Sequence, residues 1–288
     1  LVALASSLEG LFAVRTARKA VIEKIETHLT DKANDIGEII DGRMTALFQF
    51  AEGLARMPIL RDETASMQDK AKSLAPEVEH NDIIDILAVC DLQGNRIDSF
   101  GKHTFVGDRE WYQSAVKGKN FIAEPLISRS TNKLQIILAV PIKNDAGAII
   151  GVLSAGIPGQ TASDDINDLV IGKTGYCYII GRTGTTIGHP NKETVAKYYN
   201  MIEAAKTDAS LLSTAQFLEH ALKSNKSEVG HHKYKGTEII ASFAKITIAD
   251  WTVVIRAPEN EFMGTVKQLR TSLLTIGVVI LISALVIV

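Results

Sequence analysis

The stretch KLQIILAVPIKNDAGAIIGVLSAGI, residues 133–157, decides the fold. KLQIILAVPIK and AIIGVLSAGI are rich in Ile, Val and Leu and read as strands. NDAG (Asn144 to Gly147) between them holds the residues that reverse a chain, so the two strands form an antiparallel hairpin. Outward from it, IIDILAVCD and RIDSF read as two further strands with a tight turn at QGN. GDREWYQSAVKG reads as a short helix, with Asp108 as its N-cap and Gly118 as its stop. NFIAEPLIS reads as another strand. Residues 81–160 are therefore one antiparallel-sheet unit.

The same grammar recurs over residues 161–258. ASDDINDLVIG is a short helix, GYCYIIGRTGTTIGHP a strand pair turning at Arg182 to Gly184, and AQFLEHALKSN a helix. SEVGHHKYKG, TEIIASFAKI and WTVVIRAP follow as strands. The order predicts an internal duplication. Before both units, apolar residues at Val21, Ile25, Leu29, Ile36, Ile40, Leu47 and Leu54 keep helical spacing, and no proline intervenes before Pro58. Residues 15–80 thus hold a long stalk helix, roughly 60 Å in length at 1.5 Å per residue, and a connection.

The chain's ends are apolar. SLLTIGVVILISALVIV (Ser272 to Val288) carries no charge, and LVALASSLEGLFAV (Leu1 to Val14) carries one, Glu9. With about 20 apolar residues needed to span a bilayer, residues 1–14 read as the end of a first transmembrane helix. Residues 259–288 read as an exit helix running into a second. The composition excludes other classes. Thirty-three acidic against 31 basic residues leave a charge of −2, which offers no footprint for nucleic acid. The two cysteines, Cys90 and Cys177, lie in apolar runs and read as buried free thiols.

Three stretches carry a family resemblance: DREWYQSAVKGK (Asp108 to Lys119), AVPIKNDAGAIIGVLSAGI (Ala139 to Ile157) and GKTGYCYIIGRTGTTIGHP (Gly172 to Pro190). In this order, between apolar ends, the chain resembles the double-Cache (tandem PAS-like) sensor domains of bacterial chemoreceptors, sensor kinases and cyclic-di-GMP enzymes. The resemblance implies an α+β fold: a stalk helix with two tandem PAS-like antiparallel units, flanked by transmembrane helices. It also implies an extracytoplasmic domain on the bacterial inner membrane, a homodimer along the stalk helices, and a small-molecule ligand in the first, membrane-distal unit. The expected output is chemotaxis. A histidine kinase, a diguanylate cyclase or a membrane-anchored protein-binding module are the alternatives.

In the amino-acid-binding members of that family, an Arg-x-Trp-Tyr stretch grips the ligand carboxylate. Here it is Arg109, Trp111 and Tyr112. Arginine offers a carboxylate a two-pronged fork, and the aromatic rings supply apolar walls. The chain then departs from the family. Leu126 and Ser128 stand where those members place a Tyr-x-Asp, and Gly156 stands where they place a second aspartate. A buried ammonium needs an anionic partner. The expected ligand is therefore a small carboxylate, or a neutral polar molecule held by Ser128 and Ser130, rather than a standard α-amino acid. No cofactor is expected. His189, His231 and His232 are candidate metal ligands only on composition, because adjacent strand residues such as His231 and His232 point to opposite faces. Asp164 and Asp165 read as a solvated helix start. With no P-loop, GxSxG, HExxH or Ser-His-Asp order, no catalysis is expected.

Overall fold

The computed structural model describes residues 2–287; Leu1 and Val288, the outermost residues of the two expected membrane segments, lie outside them. One helix, α1 (Val2–Ala55), runs unbroken through the expected membrane end and the stalk. The boundary drawn at residue 14 is thus not a break in the helix. It ends just before Met57, whose extended backbone (φ −56°, ψ 134°) is the conformation a following proline imposes. Three short helices, α2 (Pro58–Arg61), α3 (Met67–Lys72) and α4 (Ala75–Glu79), lead into the first sheet.

That sheet contains β1 (Ile86–Cys90), β2 (Asn95–Asp98), β3 (His103–Phe105), β4 (Phe121–Ile122), β5 (Leu126–Ile127), β6 (Leu134–Lys143) and β7 (Ile149–Pro158), with helix α5 (Glu110–Ala115) between β3 and β4. Its order is β3-β2-β1-β7-β6-β4, with β5 also on β6. The hairpin of residues 133–157 is β6–β7, and β7 inserts beside β1. The stretch NFIAEPLIS is not one strand. It steps at Ala123–Pro125, where the proline cannot donate to a ladder, and splits into β4 and β5.

The second unit has α6 (Thr161–Asp164), β8 (Val170–Ile171), β9 (Gly175–Ile180), β10 (Thr186–Gly188), α7 (Lys192–Ala196), α8 (Met201–Ala204), α9 (Leu212–Lys223), β11 (Glu228–Tyr234), β12 (Thr237–Ile246) and β13 (Trp251–Pro258). Its order, β10-β9-β13-β12-β11, repeats the first: a hairpin, then the last strand, then the strand before it. The duplication read from the sequence is present in the strand order. A 24-residue helix, α10 (Gly264–Ile287), leaves the second unit. Among the described residues, no helix is long and apolar enough to cross a membrane.

Helix α1 is the shared spine. Leu29, Ala33, Ile36, Ile40, Met44, Phe48, Ala51 and Leu54 form one buried stripe, which joins a single core with side chains from both sheets. Gly37 permits the closest approach, since a methyl group there would lie 3.1 Å from the Lys245 carbonyl oxygen on β12. Polar contacts fix the register. Thr30 accepts from Ser242 at 3.3 Å, Asp41 receives the Thr247 and Ile248 amides at 3.0 and 2.9 Å, and Glu52 accepts from Asn120 at 2.7 Å. From residue 30 to 52, then, α1 passes from the second unit to the first. Its stripe is spent on the sheets, and Ile39 (55% exposed) is the large apolar side chain it leaves outward over that span.

Both cysteines are free and buried, as read from the sequence. His231 and His232 do face opposite ways. His231 is exposed, while His232 is 4% exposed and stacks on Phe217, ring centres 4.7 Å apart. Burial, then the nearby Arg256 and His231 charges, push His232 down from 6.5 to about 4. A base with a depressed folded pKa binds its proton better unfolded. Its contribution is therefore intact above pH 6.5 and lost as pH falls from there toward 4. At about 1.4 kcal/mol per pKa unit the loss is on the order of 3 kcal/mol. His232→Phe should flatten this acid limb, as measured by urea melts at neutral and acid pH; an unchanged limb would place the sensitivity elsewhere.

Candidate functional site

Alternation along the strands gives the first sheet two faces. Ile136, Leu138 and Val140 join the core shared with α1, whereas Ile137 and Ala139 face a second cluster with Trp111, Tyr112 and Val106. A small cavity lies within this second layer. Its lining includes Arg96 from β2, Thr104 from β3, Arg109 and Trp111 at the start of α5, and Leu126, Ser128 and Ser130 from β5 and its continuation. The space open to the centre of a water-sized molecule is about 20 Å³, enough for roughly one water. The site is nearly shut.

Each lining residue has a local cause. From Leu126 to Ser130 the chain keeps strand alternation: Leu126, Ser128 and Ser130 turn inward, while Ile127 and Arg129 are exposed, Arg129 also bordering the cavity. The loop is closed by the Ser128 amide donating to the Lys133 carbonyl (2.9 Å), and Asn132 takes the left-handed conformation this needs (φ 55°). The Ser128 and Ser130 hydroxyls sit 3.3 Å apart, so one or both are available to a guest. Arg109 precedes α5 and makes no capping bond to it. Asp108, expected to cap this helix, instead takes both prongs of Arg129 at 2.6 and 2.7 Å. That pairing holds its carboxyl down at about 2, the Arg129 hydrogen bonds being the chief cause.

Four of the six residues singled out from the sequence meet at this cavity: Arg109, Trp111, Ser128 and Ser130. The other two do not line it. One position beyond Trp111 on a helix is about a quarter-turn away, and Tyr112 accordingly points into the core, its hydroxyl donating to the Asp91 carbonyl at 2.8 Å. Gly156 is packed shut, since a methyl group on it would lie 2.6 Å from Ile86 Cγ2. Arg96, Thr104 and Arg129 were missed. A charged residue within the strand RIDSF, alternating with apolar Ile97, was the available signal for Arg96; the three-residue β3 offered none for Thr104.

Arg96 sets the electrostatics. Its side chain is 6% exposed, yet its contacts are slack: Ser154 and Thr104 hydroxyls at 3.4 Å each and Asp98 at 3.7 Å. Asp98 is meanwhile occupied by the Phe100 and Lys102 amides at 3.1 and 2.9 Å. Burial lowers the Arg96 pKa from its ordinary value. Arg96, Arg109 and Arg129 border the cavity, Arg129 already paired with Asp108, and among the described residues no carboxylate is in its lining.

The cavity wall is tied to the second unit. Glu124, two residues before Leu126, accepts the Arg182 amide at 2.7 Å, while the Arg182 guanidinium donates to the Ile122 carbonyl at 2.9 Å and lies 4.6 Å over the Phe121 ring. Burial raises the Glu124 pKa, so the latch holds a partly desolvated carboxyl. A methyl group on Gly181 would meet that carboxylate and push it out of the latch. Among the described residues no group of histidine, cysteine or carboxylate side chains could hold a metal ion.

The family described as Cache domain matches residues 13–266. The methyl-accepting chemotaxis protein McpG of Pseudomonas putida is 23% identical over 280 residues, 94% of this chain and 41% of that protein. PctB of Pseudomonas aeruginosa, also a methyl-accepting chemotaxis protein, is 25% identical over 165 residues, 57% of this chain and 24% of its own length. The chain thus spans a quarter to two-fifths of these relatives. Among solved structures, the ligand-binding domain of the Pseudomonas fluorescens chemoreceptor CtaA with L-isoleucine superposes with a TM-score of 0.66 at 18% identity, covering 87% of this chain and 99% of that one. The ligand-binding domain of the Pseudomonas aeruginosa chemoreceptor PctC with GABA gives 0.63 at 18%, covering 81% and 99%. At such identities the likeness shows the fold.

Gly156→Ala should cost about 1–3 kcal/mol through overpacking against Ile86. Denaturant unfolding would measure it, and a change below 0.5 kcal/mol would mean that the position has room for a ligand-facing side chain after all.

Proposed function

The chain belongs to the Cache domain family, and on that premise we propose that it is the extracytoplasmic ligand-sensing part of a bacterial transmembrane chemoreceptor. Its first unit is the membrane-distal, ligand-binding one, and its ligand is a small carboxylate. One observation carries the ligand class: the tight cavity is lined by Arg96 and Arg109, with Arg129 paired to Asp108, and no carboxylate is in its lining, Asp108, Glu110 and Glu124 lying in the wider cleft that shares Arg109, Trp111 and Leu126. An α-ammonium group would meet like charge. A carboxylate would relieve the slackly held Arg96, and charge-assisted bonds of this kind contribute about 1.5–3 kcal/mol each. The related CtaA and PctC domains were solved with L-isoleucine and GABA, which carry an ammonium group. Leu126, Ser128 and Gly156 are the positions where this chain withholds a partner for one.

Signalling follows from how little room the cavity has. A carboxylate must part Trp111 from the Leu126–Ser130 wall, and that wall continues into Glu124 and its latch on Arg182. Ligand then favours the conformation with the wall displaced, and the equilibrium moves by no more than the difference in affinity between the two states. At the other end of the second unit, Glu259 accepts from Arg18 of α1 at 2.6 Å just before α10 begins. Leu274, Ile276, Val278, Val279, Ile280 and Ile282 on α10 are each more than half exposed. We assign that face to the membrane, because contiguous exposed apolar surface marks such contacts. Two copies would associate along α1, using Ile39 and the exposed Leu11 and Phe12.

Thermal-shift titration of the chain in detergent should show stabilisation by small mono- or dicarboxylates, with Arg109→Ala weakening the response about tenfold or more while the fold is retained. Micromolar calorimetric binding of a standard α-amino acid would overturn the ligand class. Sedimentation should give a dimer that Ile39→Asp shifts toward monomer; a wild-type monomer at high concentration would remove the stalk dimer.

A further inference from the structure

The duplication places a second cavity on the corresponding face of the second sheet, the one turned away from α1. Alternation along β9 sends Cys177 and Ile179 into the core shared with α1, and Tyr176, Tyr178 and Ile180 into the opposite layer. There they line a cavity of about 390 Å³, far roomier than the one in the first unit and within the size range of small-molecule sites.

Its walls are aromatic. Tyr176, Tyr199, Tyr234 and His189 face it, with the Tyr176 and His189 ring centres 5.1 Å apart, edge to face. Two buried polar groups in this layer lack partners, one in the cavity lining and one behind it. Tyr178 is 3% exposed, and its hydroxyl has no hydrogen-bond partner. Arg256 of β13, opposite Tyr176 in the sheet, is 5% exposed, and its Nη1 is likewise unpaired. The Arg256 guanidinium lies 4.1 Å over the Tyr234 ring and 5.4 Å from that of Tyr176, so its charge sits directly behind two walls. Buried polar atoms of native proteins are almost always bonded, and two orphaned donors beside one cavity call for an acceptor.

Charge and shape select the class. The one carboxylate in the lining is Glu193, and Lys197 already pairs with it at 3.0 Å. Lys235 at the rim and Arg256 behind the walls remain, so the cavity favours an anion over a cation. His189 accepts the Asn191 amide on Nδ1 at 2.9 Å, which leaves Nε2 as its donor in the neutral ring, and burial keeps that ring neutral by lowering its pKa. Flat aromatic walls fit a flat body. We propose that the second unit carries its own ligand site, for a small aromatic carboxylate. The ring would lie among Tyr176, Tyr199 and Tyr234, and the carboxylate would take the Tyr178 hydroxyl, with the Arg256 charge behind the walls favouring it.

Calorimetry on the full chain in detergent, with benzoate, 4-hydroxybenzoate, phenylacetate and indole-3-acetate, tests this. At least one should bind, with affinity reduced about tenfold by Tyr178→Phe, which removes only the hydroxyl. The exposed Lys235→Glu should also weaken it, whereas Arg109→Ala in the first unit should leave it unchanged. No binding by any of the four acids would overturn the proposal. So would binding that Arg109→Ala abolishes and Tyr178→Phe leaves intact, since the acid would then occupy the first cavity alone.

Discussion

Neither sheet closes its own core. Each has one apolar face with no layer of its own unit to cover it, and both faces are covered by the same stripe on α1. This sharing is the constraint on which the rest depends. Two sheets that bury their inner faces on one helix cannot shift along it independently, because a movement of one turn would expose Leu29, Ile36 or Phe48 at about 1.5–3 kcal/mol per side chain. Gly37 and the Asp41 bonds to the Thr247 and Ile248 amides fix the depth and register on the second unit. The outer faces are left to short helices and loops, which have no continuous backbone ladder. Both cavities lie there.

The difference between the two cavities follows from what covers those outer faces. In the first unit α5 brings Trp111 and Arg109 down onto a sheet edge whose last strand is broken at Pro125, and the space closes to about 20 Å³. In the second unit, α9 packs Leu218 and Ala221 onto Tyr178, Ile180 and Phe243, while the shorter α7 and α8 contribute Glu193, Thr194 and Met201 to the cavity lining. The same sheet topology thus gives one tight polar pocket and one open aromatic one. Strand order is set by hydrophobic alternation, but pocket volume is set by the cover, and the cover is where the two halves diverge.

This division also explains what could be read from the sequence. The β6–β7 hairpin, the long helix and the repeat were legible because each rests on a periodic apolar pattern many residues long. Arg109 and Trp111 were legible because they stand in one short motif, and Ser128 and Ser130 because their hydroxyls stand at or beside a place where the family's carboxylate is missing. Tyr112 came from the Arg-x-Trp-Tyr stretch and Gly156 from the place of a missing aspartate, but they depend on which way a helix turns and on how closely β1 packs, and neither is written in spacing. Asp108 had the composition of a cap and lost that role to Arg129, twenty-one residues away, a long-range ion pair that no window of sequence contains. The outer cavity of the second unit was illegible for a related reason. Tyr176 and Tyr178 read as strand residues, and only the pairing of β9 with β13 sets Arg256 behind them.

Coupling between the units runs along two routes of different stiffness. The first is α1, which touches both cores and whose backbone hydrogen bonds resist shear. The second is the Glu124–Arg182 latch, a single amide bond to a partly buried carboxylate with the guanidinium braced on Phe121. A displacement of the Leu126–Ser130 wall meets the latch within two residues and α1 only through the full thickness of the sheet. The latch is therefore the softer of the two connections and α1 the stiffer. At the far end the arrangement is mirrored. Glu259, just before α10, is held by Arg18 of α1, and His231 of β11 bonds Glu26 of α1 at 2.6 Å while lying 3.9 Å from Glu259. A shift of β13 relative to α1 must break or stretch these polar contacts as well as disturb the apolar core that Trp251, Val253 and Ile255 share with α1. Polar contacts at half-exposed sites cost on the order of 1 kcal/mol each, small enough for a ligand's binding energy to redistribute. On the proposed role, a spine with polar joints at each unit is what would carry a change from the first cavity to α10 without unfolding either sheet.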